Sequence, residues 1–263
     1  MQAFAYQTPA SVADAQKAGS GAGARFLAGG QSLLPAMKLG LSAPESLVDL
    51  GAIAELKSIR VGNGTITLGA MATHASVAES QAIRDTLPAL AELAGNIGDR
   101  QVRNRGTIGG SLANNDPAAD YPAAVLALGA TITTDRRSIA ADDFFKGLYE
   151  TALAEGELIT SISFPVPKKA GWHKFKQPAS RFSLVGVFVA QTAQGARVGV
   201  TGAGPCAFRV KALEDKLSAS WAPASCDGVK IDAGGLNSDL HGSADYRAAL
   251  IPVLARRAVA AAG

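Results

Sequence analysis

Short apolar runs separated by glycine-rich turns characterise the beginning of the chain. Residues 25–28 predict a strand, residues 33–38 the helix that follows it, and residues 46–50 a second strand. Between the first strand and the helix lies the turn Ala28-Gly29-Gly30-Gln31-Ser32. Strand, glycine turn and helix in this order form an arrangement in which backbone N–H groups bind an anion.

The next segment has the pattern of a hairpin followed by a helix. Residues 59–61 and 65–68 flank Gly62-Asn63-Gly64, which is a strong hairpin signal. Residues 76–79 fit a capping box. The apolar spacing beyond that box predicts one helix ending near Gly95, carried by Ile83, Leu87, Leu90 and Leu93.

A second glycine turn, Thr107-Ile108-Gly109-Gly110-Ser111, has the same design as the first. It is also expected where a strand gives way to a helix. A Gly-Gly pair lets the backbone approach a bound group closely and adopt positive φ, so successive N–H groups can point at one anion. Two such turns indicate one shared ligand, and we expect that ligand to carry a diphosphate.

The remaining pattern divides the chain after residue 165. Two prolines and two lysines in residues 165–169 stop both helix and strand pairing, so a second domain is expected to begin near Gly171. A polar loop is predicted over residues 112–121. The other predicted elements are a helix at 123–128, a strand at 130–134, strands at 183–189 and 196–200, and a terminal helix at 246–261.

Composition excludes several classes of protein. The 263 residues are 48% apolar and 18% charged, which is typical of a compact globular chain. The net charge of +3 is small and its cations are dispersed, which argues against nucleic-acid binding. No apolar run approaches the ~20 residues of a membrane helix, and the N-terminus lacks a secretory pattern. We therefore expect a cytoplasmic protein without a membrane partner.

Cysteines and histidines give no sign of a metal site or a nucleophile. Cys206 and Cys226 lack C-x-x-C spacing, and His74, His173 and His241 are far apart in sequence. A G-x-S-x-G elbow is absent from the sequence, and both serines of the glycine turns suit phosphate binding better. We expect no metal ligand and no catalytic residue in this chain.

Residues 26–39 and 103–120, which contain the two glycine turns, resemble the FAD-binding medium subunit of the molybdenum hydroxylases. This family includes carbon monoxide dehydrogenase and bacterial xanthine dehydrogenases, and the resemblance runs from Tyr6 to the segment 246–257. It implies an α+β fold, with a vanillyl-alcohol-oxidase-type FAD-binding region over residues 1–167. That region consists of two α+β subdomains, about residues 1–55 and 56–167, and a smaller C-terminal α+β domain covers residues 168–263.

The resemblance also implies the cofactor site. Backbone amides and hydroxyls of the two turns are expected to hold the diphosphate and ribityl regions of FAD: Ala28, Gly29, Gly30, Gln31, Ser32, Thr107, Ile108, Gly109, Gly110 and Ser111. Asp120 matches an acidic position that holds the cofactor, Ile159 an apolar position against the flavin, and Lys176 a basic position near the isoalloxazine. Each has a plainer interpretation, as a helix cap, a core residue and a surface lysine. Gln31 stands where covalent flavoproteins of the wider fold can carry a histidine, so non-covalent FAD is expected.

The function implied is electron transfer within a complex. A large molybdopterin-binding subunit would oxidise the substrate, a small subunit with 2Fe-2S clusters would relay the electrons, and FAD in this chain would collect them. The resemblance suggests a dimer of heterotrimers, and NAD+, dioxygen and a dye-like carrier all remain open as acceptor. Two alternatives are a stand-alone flavin oxidase of the same fold and a noncatalytic assembly scaffold. The first would be active without partners, and the second would fail to retain FAD.

Overall fold

Three large β-sheets follow one another along the chain in the computed structural model, which describes residues 2–262. The strands are β1 Ala5–Gln7, β2 Ala24–Leu27, β3 Ser46–Asp49, β4 Ile59–Gly62, β5 Thr65–Gly69, β6 Thr131–Thr134, β7 Ser138–Ala140, β8 Phe145–Gly147, β9 Glu150–Thr151, β10 Ile159–Pro165, β11 Lys169–Lys176, β12 Ser183–Thr192, β13 Gly195–Thr201 and β14 Phe208–Arg209. The α-helices are α1 Val12–Gly19, α2 Leu33–Lys38, α3 His74–Glu79, α4 Gln81–Thr86, α5 Pro88–Gly95, α6 Arg100–Arg105, α7 Ile108–Asn114, α8 Tyr121–Ala127, α9 Ala141–Phe144, α10 Lys211–Ala219 and α11 Ala244–Ala261. Short 3₁₀ turns lie at Leu50–Ala52, Ala54–Lys57 and Pro223–Cys226.

The first sheet is parallel, with strand order β1-β3-β2. Parallel neighbours need crossover connections, and α1 and α2 provide them. The first glycine turn leaves the carboxyl end of β2 and leads into α2. In parallel sheets this is the edge where ligands bind. The strand and the helix predicted on either side of this turn are confirmed.

The second sheet is antiparallel, with strand order β4-β5-β10-β6-β7. The predicted hairpin forms its edge, and Asn63 and Gly64 have φ angles of 53° and 70°. Positive φ at both central residues defines the type I′ turn that fits the twist of two adjacent strands. Strand β10 crosses the centre of the sheet and joins the segments before and after the helices, with Ile162 and Phe164 fully buried.

The prediction of a single helix ending near Gly95 is wrong, because the chain from His74 to Gly95 forms three helices, α3, α4 and α5. Thr73 and Ser80 each begin a new helix, since their hydroxyls accept hydrogen bonds from Ser76 N and Ile83 N. Pro88 begins α5, where its missing N–H costs nothing. The last of the three helices does end at Gly95.

The sequence pattern predicts a strand before the second glycine turn, and this prediction is wrong, because a helix precedes the turn. Asp99 caps α6, which occupies the residues before the turn, and Thr107 caps α7, which contains it. Gly106 and Thr107, the two residues between these helices, are extended, and Thr107 forms an isolated bridge with Thr73. Residues 112–114 of the predicted polar loop belong to α7.

The third sheet, β11-β12-β13-β14, is packed between helices on both faces. Trp172 and Phe188 face the core shared with α8 and the second sheet. Val187, Val198 and Val200 belong to a separate core with α10 and α11. At Gly199 an added Cβ would overlap the carbonyl oxygen of Ala123 in α8, so this helix reaches the sheet backbone itself.

This contact predicts a large effect of a small substitution. Gly199→Ala should lower the free energy of unfolding by about 1–3 kcal/mol, because α8 must move away from β13. Gly62→Ala is the matched control, since an added Cβ there meets nothing within 4 Å. Chemical denaturation of both variants would check this, and equal stabilities would contradict the close packing of α8.

Candidate functional site

A cleft of about 1080 Å³ lies where loops from all three large sheets meet. Its size is slightly above the ~300–1,000 Å³ that is usual for ligand sites. Both glycine turns line it, together with residues 153–159 before and within β10 and the loop between β11 and β12. The structure therefore brings together the two motifs that the sequence separates by some 75 residues.

The two glycine turns touch each other at the base of this cleft. A Cβ added to Gly29 would overlap the carbonyl oxygen of Arg105 and the Cα of Gly106. A Cβ added to Gly110 would lie 3.3 Å from the Cβ of Ala28. Only glycine allows this approach at Gly29. The turns thus form one surface.

The first turn leaves its backbone donors free. The N–H groups of Gly30, Gln31 and Ser32 have no hydrogen-bond acceptor within the described chain, and Ser32 makes no side-chain cap to α2. Gly30 adopts a φ of 74°, a conformation that favours glycine. The Gln31 side chain folds back and donates to Gly29 O at 2.9 Å. This turn is a concave set of unpaired N–H groups suited to an anion.

The second turn differs, because its amides are used within the protein. They make four hydrogen bonds: Ile108 N to Ala72 O at 3.1 Å, Gly109 N to Ala70 O at 2.8 Å, Gly110 N to Thr107 Oγ1 at 3.1 Å, and Ser111 N to Thr107 O at 3.0 Å. Ile108 is fully buried in the core and does not line the cleft. What this turn offers a ligand is the Thr107 and Ser111 hydroxyls and a flat glycine surface.

Asp120 lines the cleft and is almost completely buried. Although it stands at the N-cap position of α8, its side chain makes no cap hydrogen bond. Its carboxylate instead accepts from Lys174 Nζ at 2.6 Å and from Ser183 Oγ at 2.6 Å. Burial raises the pKa of Asp120, and the ammonium and hydroxyl oppose that rise.

Ile159 and Lys176 are placed differently. Ile159 begins β10, lines the cleft and is 3% exposed, so it is both a core residue and part of the wall. Lys176 is exposed at the end of β11 and does not line the cleft. A β-bulge between Phe175 and Lys176 changes the strand there, and Lys174 is the lysine that faces the cleft.

His74 is a cleft residue that the sequence did not identify. It begins α3, lines the cleft and is 5% exposed, with its ring centroid 5.4 Å from that of Tyr121. Neither its Nδ1 nor the Tyr121 hydroxyl has a partner in the described part of the chain. Burial, with the charge of Arg103 adding to it, lowers the pKa of His74 to about 4. The imidazole is therefore neutral at physiological pH.

Two exposed aromatic residues stand at the edge of the cleft. Phe182, in the β11–β12 loop, is 52% exposed, and Tyr149, between β8 and β9, is 59% exposed. Tyr149 has a positive φ of 56°. The buried Asn115 holds this hairpin by donating to Gly147 O at 2.9 Å and to Glu150 O at 2.7 Å. Aromatic faces at a cleft edge suit the planar rings of a cofactor.

Residues 2–262 contain neither a metal-binding cluster nor a membrane-spanning helix. No three His, Cys, Asp or Glu side chains among them are grouped so that they could hold a metal ion. No helix among them is both long and apolar enough to cross a bilayer.

Fold and cleft together define the class, an α+β protein with one large cleft that two glycine turns line. Residues 2–167 match the family described as FAD binding domain in molybdopterin dehydrogenase. The nicotine 6-hydroxylase medium subunit of Paenarthrobacter nicotinovorans is 35% identical, over 100% of this chain and 98% of that one. The carbon monoxide dehydrogenase medium chain of Hydrogenophaga pseudoflava is 35% identical, over 98% and 96%.

Solved structures of related proteins support the same family. Carbon monoxide dehydrogenase from Hydrogenophaga pseudoflava superimposes with a TM-score of 0.89 at 35% identity, over 99% of this chain and 97% of that one. Quinoline 2-oxidoreductase from Pseudomonas putida 86 gives a TM-score of 0.87 at 30% identity, over 98% and 96%. The chain belongs to the FAD-binding medium subunits of the molybdenum hydroxylases, and is thus a flavoprotein subunit of an oxidoreductase. The predicted α+β fold class is confirmed.

From the lowered pKa of His74 we predict how the free energy of unfolding responds to acid. Its folded pKa of about 4 lies below the ordinary 6.5, so the unfolded chain binds more protons between these values. Stability is therefore complete above the unfolded pKa and decreases as the pH falls below it. We expect the free energy of unfolding to decrease by about 2 kcal/mol from about pH 7.5 to about pH 5.

Urea denaturation of His74→Gln at both pH values would isolate this contribution, because the variant should lose most of the decrease. His241→Gln is the matched control, since His241 is exposed. The assignment to His74 would be overturned by equal pH dependence in wild type and His74→Gln.

Proposed function

We propose that this chain binds FAD non-covalently in the cleft and transfers electrons from a partner's iron–sulfur clusters to an external acceptor. The observation that carries the proposal is the meeting of the two glycine turns on one cleft, with the donors of the first turn free. When bound, FAD supplies a group that accepts electrons singly and releases them as a pair.

The FAD diphosphate is assigned to the first turn. The proposed donors are the N–H groups of Gly30, Gln31 and Ser32 together with the hydroxyls of Ser32 and Ser111, and all of these residues line the cleft. Neutral N–H donors bind phosphate oxygens without the desolvation cost of buried cations. Arg25, which lines the same cleft and is exposed, can balance the charge from the solvent side.

The other predicted residues of the turns have supporting roles in this proposal. Ala28 and Gly110 both line the cleft, and they lie so close together that a Cβ added to Gly110 would be 3.3 Å from the Cβ of Ala28. Gly29 and Gly109 let the backbones of Arg105 and Ala70 approach, while Thr107 and Ile108 fix α7 to the segment before α3. These residues shape the cradle, and the free donors of the first turn bind the anion.

Asp120, Ile159, Phe182 and Tyr149 complete the cleft. Asp120 has both carboxylate oxygens engaged, and each keeps a further lone pair for a cofactor hydroxyl. Ile159 supplies an apolar wall, and the aromatic rings at the edge supply flat surfaces for ring stacking. Lys176 is exposed at the end of β11 and does not line the cleft, so it has no direct role in this proposal.

Non-covalent binding follows from the chemistry of the first turn. Gln31 presents a carboxamide, which is not a nucleophile, and its NH₂ group already donates to Gly29 O. In covalent flavoproteins of the wider fold, a histidine within or near this turn can attach the cofactor. FAD should therefore be released on denaturation.

The partners we propose are a large molybdopterin-binding subunit and a small 2Fe-2S subunit, in a dimer of heterotrimers. The relatives are named as medium chains or medium subunits, which supports a complex of at least three kinds of chain. The substrates in their names, nicotine and carbon monoxide, share no chemistry, although both relatives are 35% identical to this chain. We infer that another subunit selects the substrate.

Gly29→Ala should reduce FAD affinity at least about tenfold, which is about 1.4 kcal/mol, because the turns can no longer touch. Gly21→Ala is the control, since its added Cβ meets nothing nearer than Ala18 O at 3.6 Å. FAD binding is measured by flavin fluorescence and by the absorption spectrum, with melting curves to verify folding. Unchanged affinity in Gly29→Ala, or no flavin in wild type with excess FAD, would overturn the site.

The electron-transfer part of the proposal is tested in the complex copurified from its host. Substrate added without oxygen should bleach the flavin absorption of the wild-type complex. A complex that contains Gly29→Ala and has been stripped of its FAD should still show reduction of the iron–sulfur absorption but fail to reduce the acceptor. Acceptor reduction at the wild-type rate without FAD would contradict the proposed role.

A further inference from the structure

We propose that Lys174 is a positioning residue whose ammonium anchors the loop between β11 and β12, residues 177–182, at the cleft and thereby sets how firmly FAD is retained. The inference rests on the proposed function, because it concerns the same site. The anchoring itself can be measured without FAD.

The Lys174 ammonium makes three hydrogen bonds to three separate parts of the chain. Its Nζ donates to Asn96 O at 3.0 Å, to Asp120 Oδ2 at 2.6 Å and to Arg181 O at 2.9 Å. The side chain is 4% exposed. An ammonium has three N–H donors, so every donor is used.

These three acceptors join elements that the sequence separates widely. Asn96 is the C-cap of α5, Asp120 the N-cap of α8, and Arg181 belongs to the loop. Asp120 in turn accepts from Ser183, where β12 begins after the loop. A single cation thus ties the loop to two helices that pack against the third sheet.

The loop has few other attachments. Within it Gln177 N donates to Phe182 O at 2.8 Å and Arg181 N to Gln177 O at 2.9 Å, while the Arg181 guanidinium reaches Gly98 O at 3.3 Å. Arg181 has a positive φ of 62°, which is unfavourable for a residue with a side chain. The Lys174 hydrogen bond holds the carbonyl of this strained residue.

The loop matters because it forms one wall of the cleft. Ala179, Ser180, Arg181 and Phe182 all line it, and Phe182 is the aromatic residue at this edge. Lys174 lines the cleft too, but it has no donor left for a phosphate or a flavin oxygen. Its effect on a cofactor must therefore act through the loop and Asp120.

A buried ion pair is weak evidence for a stabilising role, because desolvation offsets much of the attraction. Removing one partner is destabilising, since it leaves the other charge buried and unpaired. This determines the choice of variants. Lys174→Met alone leaves the Asp120 carboxylate buried and unpaired. Lys174→Met combined with Asp120→Asn removes both charges, so the double variant should keep a fold of near wild-type stability.

The experiment compares Asp120→Asn, the double variant Asp120→Asn/Lys174→Met, and Lys169→Met as control. Lys169 begins the same strand and is exposed. Hydrogen exchange of the backbone amides of residues 179–182 is measured on the FAD-free chain, and FAD dissociation is followed by recovery of flavin fluorescence. Melting curves and the visible circular dichroism of the bound flavin are recorded beside them.

We expect the double variant to exchange the loop amides at least about tenfold faster than Asp120→Asn and to release FAD at least about tenfold faster, with a similar melting curve. The Lys169→Met control should match wild type. Unchanged loop exchange in the double variant would overturn the anchoring. Faster exchange with unchanged FAD release and dichroism would overturn the link to the cofactor, whereas wild type that binds no FAD would refute the proposed function alone.

Discussion

The contact between Gly29 and the backbone of Arg105 and Gly106 is the constraint on which the cleft depends. It brings the carboxyl edge of the parallel sheet against the helical segment that precedes α7. No side chain mediates this contact, so its spacing is that of two polypeptide backbones. A cleft built this way is lined by main-chain donors at the first turn, which suits a diphosphate better than a bulky side-chain pocket would.

The two glycine turns look alike in sequence, but their backbone amides differ in hydrogen bonding. In the first, the backbone reverses direction through Gly30 at positive φ, and its amides are left without acceptors. In the second, Thr107 begins a helix, and the helix and its neighbouring segment consume the amides. In both turns the Gly-Gly pair allows close backbone approach, whereas the availability of the N–H groups depends on the elements that flank the turn.

Local patterns of the sequence predicted the elements near the site well. The hairpin at Asn63-Gly64, the helix at residues 33–38 and the strand at 183–189 depend on neighbouring residues only, and the structure confirms each. The break of one predicted helix into three was harder, because Thr73, Ser80 and Pro88 compete with an apolar spacing that continues through them. The pairing of Thr107 with Thr73 is a long-range contact that no local pattern reports.

Lys174 and Lys176 show why the rest of the site could not be predicted. Strand alternation places both on one face, so the sequence cannot choose between them. The choice is made by the bulge at the end of β11 and by the acceptors that α5 and α8 present to Lys174. Since those acceptors lie 78 and 54 residues away, they become neighbours only when the sheets and helices have packed. The fold thus selects which cation serves the cleft, and the same packing turns that cation from a ligand into an anchor.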